Sequence, residues 1–225
     1  MVLETVQNNP WIAGYIVLIL LSAIVFYGMK NKSTGVPKKF FVIHFFVLLW
    51  SGIMYLMRLF SDSSQFFTEL PIYLYFDWMI TTPLMLLALG LSAAYKSDVD
   101  INWAIYSIMG LQVLVIFTGL VADVSQSTEV WFAISVLLYI PLFGLLLGPI
   151  KNAATEFESF NTLLLLIIFS WIIYPILWIS SSVYFGFLSD EVMLIAFVVF
   201  PLLSKAGFAF LDVYLLKEEF GLIEI

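Results

Sequence analysis

Lys205 stands inside FPLLSKAGFAFLD, residues 200 to 212, a segment otherwise almost free of charge. An ammonium in such surroundings is costly, and a site near the middle of a long apolar run is too deep for the side chain to reach water by snorkelling. Condensing with an aldehyde to form an imine resolves the problem, because the nitrogen then becomes part of a chromophore whose charge a neighbouring carboxylate can balance. That chemistry demands an acid from another helix. YFDWMITTPLMLLALGL, residues 75 to 91, offers Asp77, with Thr81 four residues on and therefore on the same helical face. Two further ionisable groups lie in apolar runs: His44 in FFVIHFFVLLWSG and Asp212 in FLDVYL. His44 also reads as a core histidine bonded to a carbonyl, and Asp212 as a solvated interfacial acid.

Composition sets the solvent in which these groups sit. Of 225 residues, 63% are hydrophobic and 11% charged, against about 45–50% and about 25% in ordinary soluble domains. The chain is built for a bilayer. A net charge of -7 with only nine Lys and Arg excludes nucleic acid as the main partner, since phosphate binding needs a basic face. The absence of cysteine excludes disulfides, thiolate catalysis and Cys-ligated metals, and one histidine leaves no room for a histidine-rich metal site.

Crossing a hydrocarbon core takes about 20 helical residues, and runs of that length without strand alternation recur near 11–29, 37–60, 71–94, 101–122, 129–150, 160–186 and 191–217. The expected fold is all-α, a seven-transmembrane-helix bundle forming a single domain over residues 1–225. No repeat, linker or low-complexity tract interrupts it, and MVLETVQNNP lacks the basic region of a cleaved signal peptide. Lys30, Lys32, Lys38, Lys39, Lys96, Lys151 and Lys217 all fall at one end of such a bundle, with Arg58 near the other. The positive-inside rule then predicts an N-terminus outside and a C-terminus in the cytoplasm.

With the helices in place, the run around Asp77, Trp78, Thr81, Thr82 and Pro83 resembles the third helix of the microbial (type 1) rhodopsins. WIIYPILW puts Trp171, Tyr174, Pro175 and Trp178 at the spacing that lines the retinal pocket in that family. Aromatics at helical spacing also serve packing; it is the conjunction with the mid-membrane lysine and the acid before WxxTTP that carries the resemblance. Further matches fall at Met54–Tyr55, at TGLV (Thr118–Val121) and at WFAIS, ending at Ser135, so the likeness covers essentially the whole chain. It implies all-trans retinal bound covalently to Lys205, Asp77 as counterion with Thr81 beside it, and a pocket that includes Pro201 and Ser204. It also implies a multi-pass protein of the plasma membrane, not an enzyme, with membrane lipid around it and a possible trimer or pentamer.

Departures from the family pattern indicate which member this is. Outward proton pumps carry an aspartate four residues before the lysine, an arginine three before the counterion and a carboxylic donor eleven after it; here those places hold Pro201, Leu74 and Ala88. Chloride pumping is disfavoured because Asp77 repels an anion. Asp212 lies seven residues past Lys205 along a helix running inward and His44 seven residues into the second helix from its cytoplasmic start, each about 10 Å by helical rise, so the two are expected at similar depth. With the proline, the lone DxxxT counterion and the alanine, they resemble the xenorhodopsin branch. That resemblance implies a light-driven inward proton pump, the proton passing to Asp212 and His44 on the inside and returning from an outer side where Leu74 leaves no arginine barrier. The alternative is a sensory photoreceptor signalling to a separate soluble transducer. A retinal-free carrier or enzyme of the lipid phase is a third class, which the colour of the purified protein would separate from the other two.

Overall fold

A computed structural model describes residues 10–30, 35–60, 66–180 and 185–220. Seven helices among them are long and apolar enough to cross a membrane. They are α1 (Pro10–Met29), α2 (Lys38–Phe60), α3 (Phe66–Ala93), α4 (Asn102–Val124), α5 (Thr128–Ala153), α6 (Phe160–Ser180) and α7 (190–219). Helical bonding satisfies most of each segment's backbone from within, the condition for spanning lipid. Consecutive helices α1 to α5 pack side by side, and α7 closes the bundle against α1, α2, α3 and α6. α3 is the most enclosed helix and α5 the least. The α1–α2, α3–α4 and α5–α6 connections and the end of α7 share one end of the bundle, called here the lysine-rich end because Lys30, Lys38, Lys39, Lys96, Lys151 and Lys217 lie there.

Glycines set two of the close packings. A Cβ at Gly90 would stand 2.6 Å from Ile105 Cγ1, and one at Gly52 would run into Leu20. Their missing side chains let α3 approach α4 and α2 approach α1.

Several helix ends differ from expectation. α3 begins at Phe66 rather than 71, because a proline removes one backbone bond without ending a helix whose neighbours support it. α6 is described to Ser180 and does not run on to 186: Gly186 has φ +64, a left-handed conformation that ends the run in a turn. Residues 181–184 lie outside the described residues. α4 extends to Val124, so Asp123 belongs to its last turn and not to the polar connection.

α7 is not a uniform helix. After Pro201 it widens into a π turn over Leu202–Gly207, which carries Lys205, before resuming as Phe208–Glu219. The cause is legible in the backbone. Pro201 has no N–H to give the Phe197 carbonyl four residues back, and the Tyr55 hydroxyl on α2 donates to that carbonyl at 2.6 Å instead. A π bulge at a reactive side chain is a common association.

Candidate functional site

Lys205 and Asp77 meet at the centre of the bundle. Lys205 is 2% exposed and Asp77 fully buried, and their side chains form an ion pair between α7 and α3. Lys205 Nζ also donates to Ser51 Oγ at 2.9 Å, and Ser51 Oγ donates to Asp77 Oδ2 at 2.9 Å. Tyr15 OH lies 2.7 Å from the same Ser51 oxygen. A hydroxyl has one proton and two lone pairs. With its proton on Asp77, Ser51 accepts from both Lys205 and Tyr15, and its capacity is filled. Thr81 Oγ1 bonds the Asp77 carbonyl at 2.8 Å and reaches Oδ1 at 3.3 Å. Oδ2 of Asp77 thus has two donors, Lys205 and Ser51, while Oδ1 has the longer contact with Thr81.

A second buried cluster lies toward the lysine-rich end. His44 Nε2 is 2.7 Å from Asp212 Oδ2, and Ser92 Oγ donates to Asp212 Oδ1 at 2.6 Å. All three residues are fully buried. An ionised Asp212 only accepts, so Nε2 carries the hydrogen; in the neutral ring Nδ1 then bears the lone pair. His44 Nδ1 is buried without a hydrogen-bond partner, and the ring edges of Phe26 and Phe208 flank the imidazole. Phe208 and Ala209, both fully buried, separate Lys205 from Asp212 along α7.

On the other side of Lys205 lies a cavity of about 480 Å³, within the range of small-molecule sites. Trp78, Thr82, Ser135, Trp171, Tyr174, Pro175, Trp178, Ser204 and Lys205 line it, as the sequence predicts for a retinal pocket. Trp78 stacks near Phe197, with centroids 5.8 Å apart and planes at 24°, and Tyr174 lies against both rings. Thr82 Oγ1 is turned to the Trp78 carbonyl at 2.7 Å, which leaves its methyl for the cavity. A long, largely aromatic space that begins at a buried amine fits an elongated apolar aldehyde. Pro83 and Pro201 are buried in their helices but outside the lining, and Asp77 and Thr81 stand behind Lys205.

Sequence reasoning missed Ser51, Tyr15 and Ser92, and found Tyr55 only as a match to the family pattern, without its bond to the Phe197 carbonyl. Ser51 had a usable signal, lying two turns after His44 on α2; a lone tyrosine or serine in an apolar helix has none. The end of the bundle opposite the lysine-rich end also differs from expectation. Arg58 is 6% exposed and lines a small void with Tyr55 and Leu74, so a guanidinium does stand beside Leu74, supplied by α2 rather than α3.

Comparison with known proteins agrees with this geometry. The chain is 32% identical over 199 residues to bacteriorhodopsin-I of Haloarcula marismortui, covering 79% of this chain and 77% of that protein. It is 32% identical over 195 residues to bacteriorhodopsin of Halobacterium halobium, covering 77% and 90%. Among solved structures, the inward H+ pump xenorhodopsin superposes with a TM-score of 0.84 at 31% identity, covering 97% of this chain and 99% of that one. Cyanorhodopsin from Calothrix sp. NIES-2098 gives 0.80 at 27% identity, covering 94% and 95%. Residues 6–219 match the model of the bacteriorhodopsin-like protein family. The chain therefore belongs to that family: it is a microbial (type 1) rhodopsin, a multi-pass plasma-membrane protein whose family chromophore is retinal and whose relatives are light-driven ion pumps, not enzymes.

Proposed function

We propose that the protein is a light-driven inward proton pump of the xenorhodopsin branch, built as one domain with its N-terminus outside. The lysine-rich end then faces the cytoplasm, as the positive-inside rule requires. All-trans retinal, attached as a Schiff base at Lys205 Nζ, supplies light absorption and a double-bond isomerisation. Trp78, Trp171, Tyr174 and Trp178 hold its shape and exclude water, with Thr82, Ser135, Pro175 and Ser204 completing the walls. Asp77 balances the charge at Lys205 Nζ in the dark, and Ser51 and Thr81 keep the carboxylate in place.

The observation that carries the direction is the contrast in open valences. Asp77 is already ion-paired to Lys205 and bonded by Ser51, whereas His44 Nδ1, on the cytoplasmic side of Lys205, is buried without a hydrogen-bond partner. A neutral imidazole has a nitrogen able to take a proton, and Ser92 fixes the Asp212 carboxylate that His44 bonds. Ala88, fully buried, holds no carboxyl at the place from which outward pumps reprotonate. The likeness to the inward pump xenorhodopsin points the same way. The proton therefore leaves Lys205 Nζ for His44, and reprotonation comes from outside past Arg58 and Leu74.

Illuminated cells that carry the pigment should alkalinise their unbuffered medium, and a protonophore should abolish the signal. Acidification would reverse the direction. No pH change from an intact, cycling pigment would make the protein a sensory photoreceptor.

A further inference from the structure

We infer that Asp123 is a second, oppositely acting charge on the chromophore, setting the colour of the pigment from the end of the cavity remote from Lys205. Two buried-helix partners hold it. Tyr75 OH on α3 donates to Oδ2 at 2.8 Å, and Trp178 Nε1 on α6 donates to Oδ1 at 2.6 Å. The indole N–H, which can only donate, bonds Oδ1 and the Tyr75 hydroxyl donates to Oδ2, an arrangement that suits an ionised carboxylate. Trp178 in turn stacks on Phe132 of α5, centroids 4.3 Å apart and planes 8° from parallel. One carboxylate thus ties α3, α4 and α6 together and, through the indole, reaches α5.

Its place relative to the cavity gives the inference its content. Asp123 and Lys205 both line the cavity, but Lys205 is mid-helix and Asp123 is the next-to-last residue of α4. Gln112 and Asp123 line it from one helix, a span of about 16 Å at helical rise. Gly119, one turn before Asp123, lines it too, and a Cβ there would come within 3.3 Å of Tyr75. So the cavity has a carboxylate at each end: Asp77 behind the amine and Asp123 at the far mouth.

The inference rests on the reading that retinal occupies this cavity from Lys205. In a protonated polyene imine the positive charge sits near nitrogen in the ground state and moves toward the far end on excitation. A negative charge near nitrogen therefore stabilises the ground state and widens the gap; one at the far end stabilises the excited state and narrows it. Asp77 and Asp123 must pull the band in opposite directions. Asp123 is exposed at the mouth, so screening by solvent makes its effect the smaller. Its bond to Trp178 is a separate, positioning role that a neutral side chain can keep.

The test is the absorption maximum of purified, retinal-loaded Asp123→Asn and Asp123→Ser, with Asp123→Glu as the charge-keeping control and tryptophan fluorescence before retinal addition as the check on folding. Both neutral variants should absorb at shorter wavelength than the parent, Asp123→Glu near it, and Asp77→Asn at longer wavelength. Neutral variants at the parent maximum, or to its red, would overturn the inference. So would folded neutral variants that take up no retinal, since Asp123 would then be needed for binding and not for tuning. Failure of the underlying reading shows separately, as a Lys205→Ala protein that keeps its covalent pigment.

Discussion

Two buried acids, Asp77 and Asp212, sit on opposite sides of Lys205 in chemically different company. Asp77 meets a lysine cation, a serine and a threonine, and the serine is itself filled by Tyr15. Asp212 meets a histidine and a serine, and the histidine keeps one nitrogen unpartnered. On the proposed function, the first cluster holds a charge in place and the second receives one. Two acids of the same type, both fully buried, would then differ in function through what donates to them. The difference teaches that direction in such a bundle is set by where unused proton-accepting capacity lies, more than by the number of carboxylates.

The comparison can be broken most completely at its centre. Lys205→Ala should remove visible absorption entirely while the protein still reaches the membrane fraction. It also leaves Asp77 buried without its cation, a loss of about 3–5 kcal/mol that should appear as a lower melting temperature than that of the retinal-free parent. Next come the inner acceptors: Asp212→Asn and His44→Ala should keep their colour yet transport protons roughly a hundredfold more slowly, the range expected for losing a positioned acid or base. Normal transport in both would strip the inner cluster of its role. On the other side, Asp77→Asn should move the band to longer wavelength, because removing the counter-charge raises the ground state of the cation. An unchanged band would mean that another group is the counterion. Ser92→Ala sharpens the comparison with the smallest change. It removes one hydrogen bond to a charged acceptor, about 1.5–3 kcal/mol, and should slow transfer by roughly tenfold without moving the colour.

The parts of this account that were legible in the sequence are those that leave a pattern. Seven apolar runs fix seven spans, since the bilayer dictates their length. Lys205, Asp77, His44 and Asp212 were visible because charge is rare in such runs, and counting helical rise placed His44 and Asp212 at one depth although 168 residues separate them. Tyr15 and Ser92 leave no such mark, and Ser51 only its place two turns after His44. A hydroxyl in an apolar helix bonds as readily to a carbonyl one turn back, as Ser107 does to Trp103, so its type does not reveal its partner. The π turn at Lys205 was hidden for a similar reason: Pro201 announces a missing N–H, but Tyr55, far off in sequence, decides what becomes of the freed carbonyl. Asp123 was taken for part of a polar connection because helix ends blur by a turn; its two bonds place it at the mouth of the cavity.

Direction is the central claim, and the light-induced current across the plasma membrane reads it most directly. With equal pH on both sides and no applied voltage, the account predicts an inward current of positive charge that persists under continuous light and falls in Asp212→Asn and His44→Ala. A sustained outward current under the same conditions would contradict it.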